Sequence, residues 1–282
     1  MRTKSSPQKT ILITGCSSGI GLDGARALHA RGWLVIASCR KEADCEKMRA
    51  MGLASVRIDY EEPASIEAGF EHAMAITGGR LDVLFNNGAY AIPGALEDMP
   101  TDAIRQIFES NFFGWHSLTR LAIPVMRGQA SGRIIQNSSI LGFAALRWRG
   151  PYNATKFALE GYTDTLRLEM RGTGIELVLI EPGPIRTRIR ENSWPHFEKW
   201  IDVKASVRRR FYEKALIPRL TMDNPPKDPF ELGVEATTKA LLHACEARRP
   251  RRRYRITWAT KLMYGVKKLL PTRLFDHIAV RF

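Results

Sequence analysis

Short apolar runs alternate with helical stretches from residue 9 to residue 187, and few folds accommodate that rhythm. The runs lie at 9–14, 33–38, 54–58, 81–85, 133–137 and 175–180, and helical segments separate them. Strands that are apolar along their whole length have both faces covered, as parallel strands between two helical layers do. Each intervening helix can return the chain to the same end of the sheet. The pattern predicts an α/β fold: a single doubly wound parallel sheet of Rossmann type, about seven strands wide, flanked by helices. Such sheets bind ligands in the crevice at the carboxyl ends of their strands. The residues that follow each run are therefore the ones to read for chemistry.

The first run passes directly into Gly15-Cys16-Ser17-Ser18-Gly19-Ile20-Gly21 and then into a helix. Strand, glycine-rich turn and helix form the context that a dinucleotide fingerprint requires. Gly15 permits the tight turn, Gly19 a close approach to pyrophosphate, and Gly21 close helix–strand packing. The free N–H groups of the helix start would face the phosphates. The spacing is T-G-x-x-x-G-x-G rather than G-x-G-x-x-G, and a glycine turn without a ligand is the plainer alternative. At the end of the second run, the acid that would grip the ribose 2′-hydroxyl of NAD is replaced by Cys39, followed by Arg40. Arg40 can pair with a 2′-phosphate, which points to NADP(H); the alternative is a solvated arginine.

The third run ends in Asp59-Tyr60, placed to meet an adenine ring. The fourth ends in Asn86-Asn87-Gly88-Ala89, which suits backbone passing close to a cofactor, or a simple Asn-Gly turn. Asn111 falls within a helix, where its side chain competes for backbone groups. It either faces solvent or holds something inside. The fifth run ends in Ser138-Ser139, thirteen residues before Tyr152. Pro151 suits the first turn of a helix, and on that helix Tyr152 and Lys156, four residues apart, share a face. An ammonium beside a phenol favours phenolate. Tyrosine ordinarily titrates near ~10, so it needs such help to move protons near neutrality. A bare Y-x-x-x-K is also an ordinary surface pair; what favours a site is that the glycine turn, Arg40, Asn87, Ser139 and residues 182–187 all fall at carboxyl strand ends.

Residues 193–228 mix Trp194, Phe197, Trp200, Phe211 and Tyr212 with many charges, which suits a helical lid over an apolar substrate or a helical excursion with no ligand role. Of the net charge of +14, residues 248–282 contribute eleven Lys or Arg against the single acid Asp276. A tail of that kind suggests an acidic surface such as anionic lipid or nucleic acid. Its regular apolar residues favour peripheral membrane contact over nucleic acid, and a solvated basic face is the bland alternative. We expect one domain over 1–247, including the lid segment, and a basic extension over 248–282. At 44% hydrophobic residues the chain can build a core. No apolar run approaches the ~20 residues of a membrane span, and residues 1–10 lack the apolar stretch of a signal peptide. Cys16, Cys39, Cys45 and Cys245 form no C-x-x-C and no zinc-ligand spacing, so no metal site is expected. Reduced thiols fit a cytoplasmic protein.

Taken together, TGCSSGIG at 14–21, NNGA at 86–89, Asn111, Ser139, Tyr152-x-x-x-Lys156 and PGPIRT at 182–187 resemble the classical short-chain dehydrogenase/reductase family over about residues 9–247. Within it the chain is most similar to bacterial NADP-dependent aldehyde reductases and to retinol and 17β-hydroxysteroid dehydrogenases. The resemblance implies Tyr152 as general acid, Lys156 as the group that lowers the tyrosine pKa and holds the nicotinamide ribose, and Ser139 as hydrogen-bond partner of the substrate oxygen. It implies that Asn111 holds a water linking Lys156 to solvent. Gly15, Ser17, Ser18, Gly19, Ile20 and Gly21 would line the phosphates and adenosine, and Arg40 would meet the 2′-phosphate. Asp59 and Tyr60 would meet the adenine, Asn87 and Gly88 the adenosine-side ribose region, and Pro182, Gly183, Ile185 and Thr187 the carboxamide side. It also implies a homodimer or homotetramer. Two departures stand out: the family more often reads N-N-A-G at 86–89, and the tail is longer and more basic. The expected activity is NADPH-dependent reduction of a lipophilic aldehyde or ketone. The alternatives are a retinol- or steroid-type dehydrogenase working oxidatively, or an NADP(H)-sensing protein without turnover, which would be expected to lose Tyr152 or Lys156.

Overall fold

Six of the seven strands form from the apolar runs: β1 (Thr10–Ile13), β2 (Leu34–Cys39), β3 (Ala54–Arg57), β4 (Val83–Asn86), β5 (Gly132–Asn137) and β6 (Ile175–Glu181). The seventh, β7 (Arg253–Arg255), lies in the basic extension. The computed structural model describes residues 7–223 and 225–281. All strand pairs are parallel, in the order β3-β2-β1-β4-β5-β6-β7. The chain winds outward in both directions from β1, so the crevice between β1 and β4 is the topological switch point.

Because successive strand residues face opposite ways, the sheet builds two cores. Ile11 and Ile13 pack with Ala25 and Leu28 of α1 (Gly19–His29) and Leu241 of α10 (Glu235–Glu246). Leu12 packs on the other face with Phe70 of α3 (Pro63–Thr77), Trp115 and Leu118 of α5 (Gly114–Gly128), and Leu159 of α6 (Gly150–Glu169). The remaining sheet helix, α2 (Glu42–Ala50), buries Cys45 and Met48. The helix expected around Asn111 is α4 (Thr101–Phe108) joined to α5 by a π-helical turn, Glu109–Phe113, that carries this residue.

Residues 189–221 fold as α7 (Ile189–Trp200), α8 (Arg209–Phe211), a second π-helical turn and α9 (Ile217–Thr221). They close around Phe197, Ile201, Tyr212, Leu216 and Leu220, with Ala95 from the body. The Tyr212 hydroxyl accepts from Ala95 N at 2.9 Å and donates to Asp98. The extension is tied into the sheet through β7 and continues as α11 (Trp258–Leu269) and α12 (Thr272–Ala279), whose Phe275 and Ala279 pack on buried Ala144. Among the described residues no helix is long and apolar enough to cross a membrane.

Candidate active site

The glycine turn is held open by geometry. Gly15 and Gly19 adopt φ values of 69° and 59°, left-handed conformations that side chains disfavour. A Cβ on Gly15 would come within 2.6 Å of Gly88 Cα, one on Gly21 within 2.3 Å of the Gly15 carbonyl, and one on Gly19 within 3.4 Å of Thr187. The turn thus lies between the β4 loop and the segment after β6. Ser17 is exposed, Ser18, Gly19 and Ile20 are half-buried, and Ser18 makes no capping bond at the start of α1. First-turn N–H groups left uncapped in this way suit an anionic ligand, so these residues fit a dinucleotide.

Behind the turn a polar lattice ties β1, β4 and β5 together. The Thr14 hydroxyl accepts from Asn87 N (2.9 Å) and Gly88 N (3.1 Å). Asn87 Nδ2 donates to Thr14 O at 2.9 Å, and its Oδ1 accepts from Asn137 Nδ2 at 2.8 Å. Both ends of the Asn87 amide are therefore spent inside the protein, and what it presents to the crevice is backbone. Tyr60 departs further from expectation. Its side chain is buried in the core, and its hydroxyl lies 2.8 Å from both Thr14 Oγ1 and Asn86 Oδ1. Burial pushes its pKa up. It supports the β4 loop from below, with Asp59 half-buried beside it. Arg40 is exposed, while the neighbouring Asp59 and Glu62 are engaged by Arg57 at 3.9 and 2.8 Å. The Cys39 sulfur turns inward towards Cys45, and burial pushes its thiol up to about 12.

Ser139, Tyr152 and Lys156 come together at the carboxyl end of β5. Ser139 caps a short 3₁₀ turn, Ile140–Gly142; its Oγ accepts from Leu141 N at 3.1 Å, which leaves its proton free to be donated. Burial pushes the Tyr152 phenol up, and the neighbouring Ser139 hydroxyl offsets part of that shift. Lys156 is 1% exposed; its amine donates to Asn137 O at 2.8 Å, lies 4.3 Å from the Trp115 ring centre and 5.4 Å from that of Tyr152. The lysine faces the tyrosine ring but is not hydrogen-bonded to the phenol. Burial pulls its pKa down to about 7, against the opposing charge of Glu160. Asn111 is fully buried, its side chain accepting from Tyr90 N (3.1 Å) and donating to Tyr90 O (2.8 Å) and Thr155 (3.4 Å). The π-turn turns it inward, so the side chain itself is occupied; any water would have to meet its backbone.

Further supporting features have weak or no signal in the sequence. Glu160, one helical turn beyond Lys156, is bound by Arg253, which also holds Glu181 at 2.6 Å and Asp164 at 2.7 Å; Arg255 lies 2.9 Å from Glu181. The i+4 spacing of Glu160 could have flagged it, but its arginine partner lies 93 residues away. Trp115 and Asn137 reach Lys156 only through tertiary packing. Thr257 and Thr260 press on Gly183, where a Cβ would come within 2.1 Å of Thr257 Oγ1. His196 of α7 stacks on Tyr90 at 3.8 Å and 5°. Pro182 O accepts from Ile140 N at 2.7 Å, joining the Ser139 turn to the segment containing Ile185 and Thr187.

The short chain dehydrogenase family model matches residues 9–197. An oxidoreductase of Escherichia coli K12, YbbO, is 38% identical over 276 residues, covering 96% of this chain and 94% of the relative. Human retinol dehydrogenase 16 is 30% identical over 278 residues, covering 96% and 87%. A short-chain dehydrogenase from Streptomyces avermitilis superposes with a TM-score of 0.75 at 25% identity, covering 95% of this chain and 96% of that one.

Proposed function

The chain belongs to the short-chain dehydrogenase family and is an oxidoreductase of it, and from that premise we propose that it reduces lipophilic aldehydes or ketones to alcohols with NADPH. The observation that carries this reading is the meeting of the Ser139 hydroxyl, the Tyr152 phenol and the buried Lys156 amine beside the glycine turn. NADPH, when bound, supplies the hydride that the carbonyl carbon accepts. Tyr152 gives its proton to the carbonyl oxygen. Ser139 donates a hydrogen bond to the same oxygen as charge develops on it. Lys156 holds the ribose hydroxyls and, moving off Asn137 O, draws the phenol towards ionisation. The backbone at Asn111 holds the water through which Lys156 is reprotonated. Residues 15–21 bind the pyrophosphate, Arg40 the 2′-phosphate, Asp59 the adenine, the Asn87-Gly88 backbone the ribose, and Pro182, Gly183, Ile185 and Thr187 the carboxamide side. The α7–α9 segment closes over the apolar part of the substrate.

The likeness to a retinol dehydrogenase favours a second direction of the same chemistry, oxidation of a lipophilic alcohol, in which Tyr152 takes the proton. Assembly as a homodimer or homotetramer, and peripheral contact of the extension with membrane, belong to the same proposal. The test follows NADPH absorbance with a panel of aldehydes, ketones, retinoids and steroids in both directions. Tyr152→Phe should abolish turnover while cofactor binding, read by fluorescence titration, persists. Near-normal rates in that variant would overturn the assignment.

A further inference from the structure

Arg149 stands three residues before Tyr152, at the N-cap of α6. The residue before it, Trp148, is held at φ 63°, a left-handed conformation that costs a bulky residue energy and persists only where the surroundings impose it. Here Gly94 N donates to Trp148 O at 2.9 Å, Gly94 pairs with Arg149 as an isolated bridge, and the indole stacks on Phe211 at 4.4 Å. The loop is thus clamped with Arg149 beside Arg190 of α7, Arg219 of α9 and Asp228.

The charges there do not balance. Arg190 and Arg219 both bind Asp228, the latter at 2.7 Å; Glu231 is held by Arg186 at 2.7 Å and approached by Arg190 at 3.8 Å. Four arginines share two carboxylates. Among the described residues Arg149 pairs with neither: its guanidinium reaches the Arg147 carbonyl at 3.5 Å, a marginal contact. Burial and the charges of Arg219 and Arg190 disfavour its charged form. Half-buried cations ordinarily have a partner. This one stands at the start of the helix that bears Tyr152, near Arg190 of α7 and Arg219 of α9.

We propose that Arg149, with Arg190 and Arg219, is an anion subsite beside Tyr152, and that the substrate is a carbonyl compound whose apolar body carries a carboxylate. The proposal rests on the reductase reading above and narrows its substrate class. The carboxylate takes the bidentate contact that Arg149 lacks, and the aromatic residues of 194–212 receive the chain between the two ends.

The test compares an ω-oxo fatty acid with its methyl ester as substrates for NADPH oxidation. The wild type should favour the acid through a lower KM, and Arg149→Met should reduce the acid-to-ester ratio of kcat/KM about tenfold. Arg149→Lys should recover part of the ratio. Turnover of the ester in both proteins would show that the reductase reading stands even if the ratio does not change. An unchanged ratio, or a wild type indifferent to the charge, overturns the subsite. A second readout needs no turnover: octanoate should raise the melting temperature of the wild type more than octanol does, and Arg149→Met should lose that difference. Equal shifts in wild type and variant overturn the proposal whatever the substrate assay gives.

Discussion

Lys156 carries a cost that its proposed role explains. An amine buried to 1% exposure with one carbonyl acceptor and two aromatic faces is poorly compensated for the water it has lost. Its pKa falls from 10.5 to about 7. The folded value lies below the unfolded one, so the buried charge penalises stability fully below about pH 7, and the penalty is relieved as pH rises towards 10.5. Lys156→Met should therefore melt at a higher temperature than the wild type near pH 6, with the gap narrowing by pH 10, while turnover falls by at least about a hundredfold. Calorimetry across that range checks the first part, and a variant less stable than wild type at pH 6 would refute it. Arg40 makes the opposite case, an exposed cation whose neighbouring acids are already taken by Arg57. Arg40→Ser should raise the KM for NADPH by about tenfold and leave that for NADH nearly unchanged; steady-state kinetics with both cofactors decides it. Substitution at Cys39 would be a poorer test, because its sulfur faces the core beside Cys45.

Among the elements, α7 packs on the body through a histidine that burial keeps neutral. His196 lies flat on Tyr90, and burial, aided by the charges of Arg40 and Lys199, pulls its pKa down to about 4. A neutral ring is thus part of the closed arrangement. Its contribution is complete above the ordinary value of 6.5 and is lost as pH falls towards about 4, because the unfolded chain takes up a proton that the folded one refuses. His196→Phe keeps the stack and removes the titration, so its melting temperature should fall less than the wild type's between pH 6.5 and 4; parallel curves would exclude the stack as a pH-sensitive contact. The elements also show what sequence can and cannot reveal. The strands β1 to β6 were legible because an apolar run between helical segments has one sensible burial, and the glycine turn because its spacing follows from backbone geometry. β7 was harder to read. Arg253-Tyr254-Arg255 is basic, and within the sheet its arginines meet Glu160, Asp164 and Glu181, acids far away in sequence. The π-turn at Asn111 was hidden for the same reason, since the bonds to Tyr90 that turn the side chain inward cross between elements.

For the whole molecule, the basic extension has two faces, one packed on the body and one exposed. Inward, β7 pairs with β6, Arg253 and Arg255 hold buried acids, Lys267 donates to Phe143 O, Arg147 donates to Val280 O at 2.5 Å, and Phe275 and Ala279 cover Ala144 in the loop that leads from Ser139 to Tyr152. Outward, Leu269 is 83% exposed and Leu274 55%, on helices that also carry Lys261, Lys268 and Arg273. Deleting 248–282 would therefore remove part of the sheet along with any membrane contact, and the two faces have to be tested separately. Phe275→Ala opens a cavity beneath the Ser139 loop, so it should lower stability by about 3 kcal/mol and reduce turnover while cofactor binding at the distant glycine turn persists. Urea denaturation, steady-state kinetics and fluorescence titration read the three effects, and unaltered kinetics in a clearly destabilised variant would free the loop from the extension. Leu269→Glu with Leu274→Glu leaves that interior alone. The wild type should sediment with anionic vesicles at low ionic strength and lose them at about 0.5 M salt, where screening shortens the reach of the lysines to a few ångströms. The double variant should lose them at low salt as well, with its melting temperature unchanged. If it sediments like the wild type, or if neutral vesicles serve equally well, the outward face is an ordinary solvated surface and its charge attracts no bilayer.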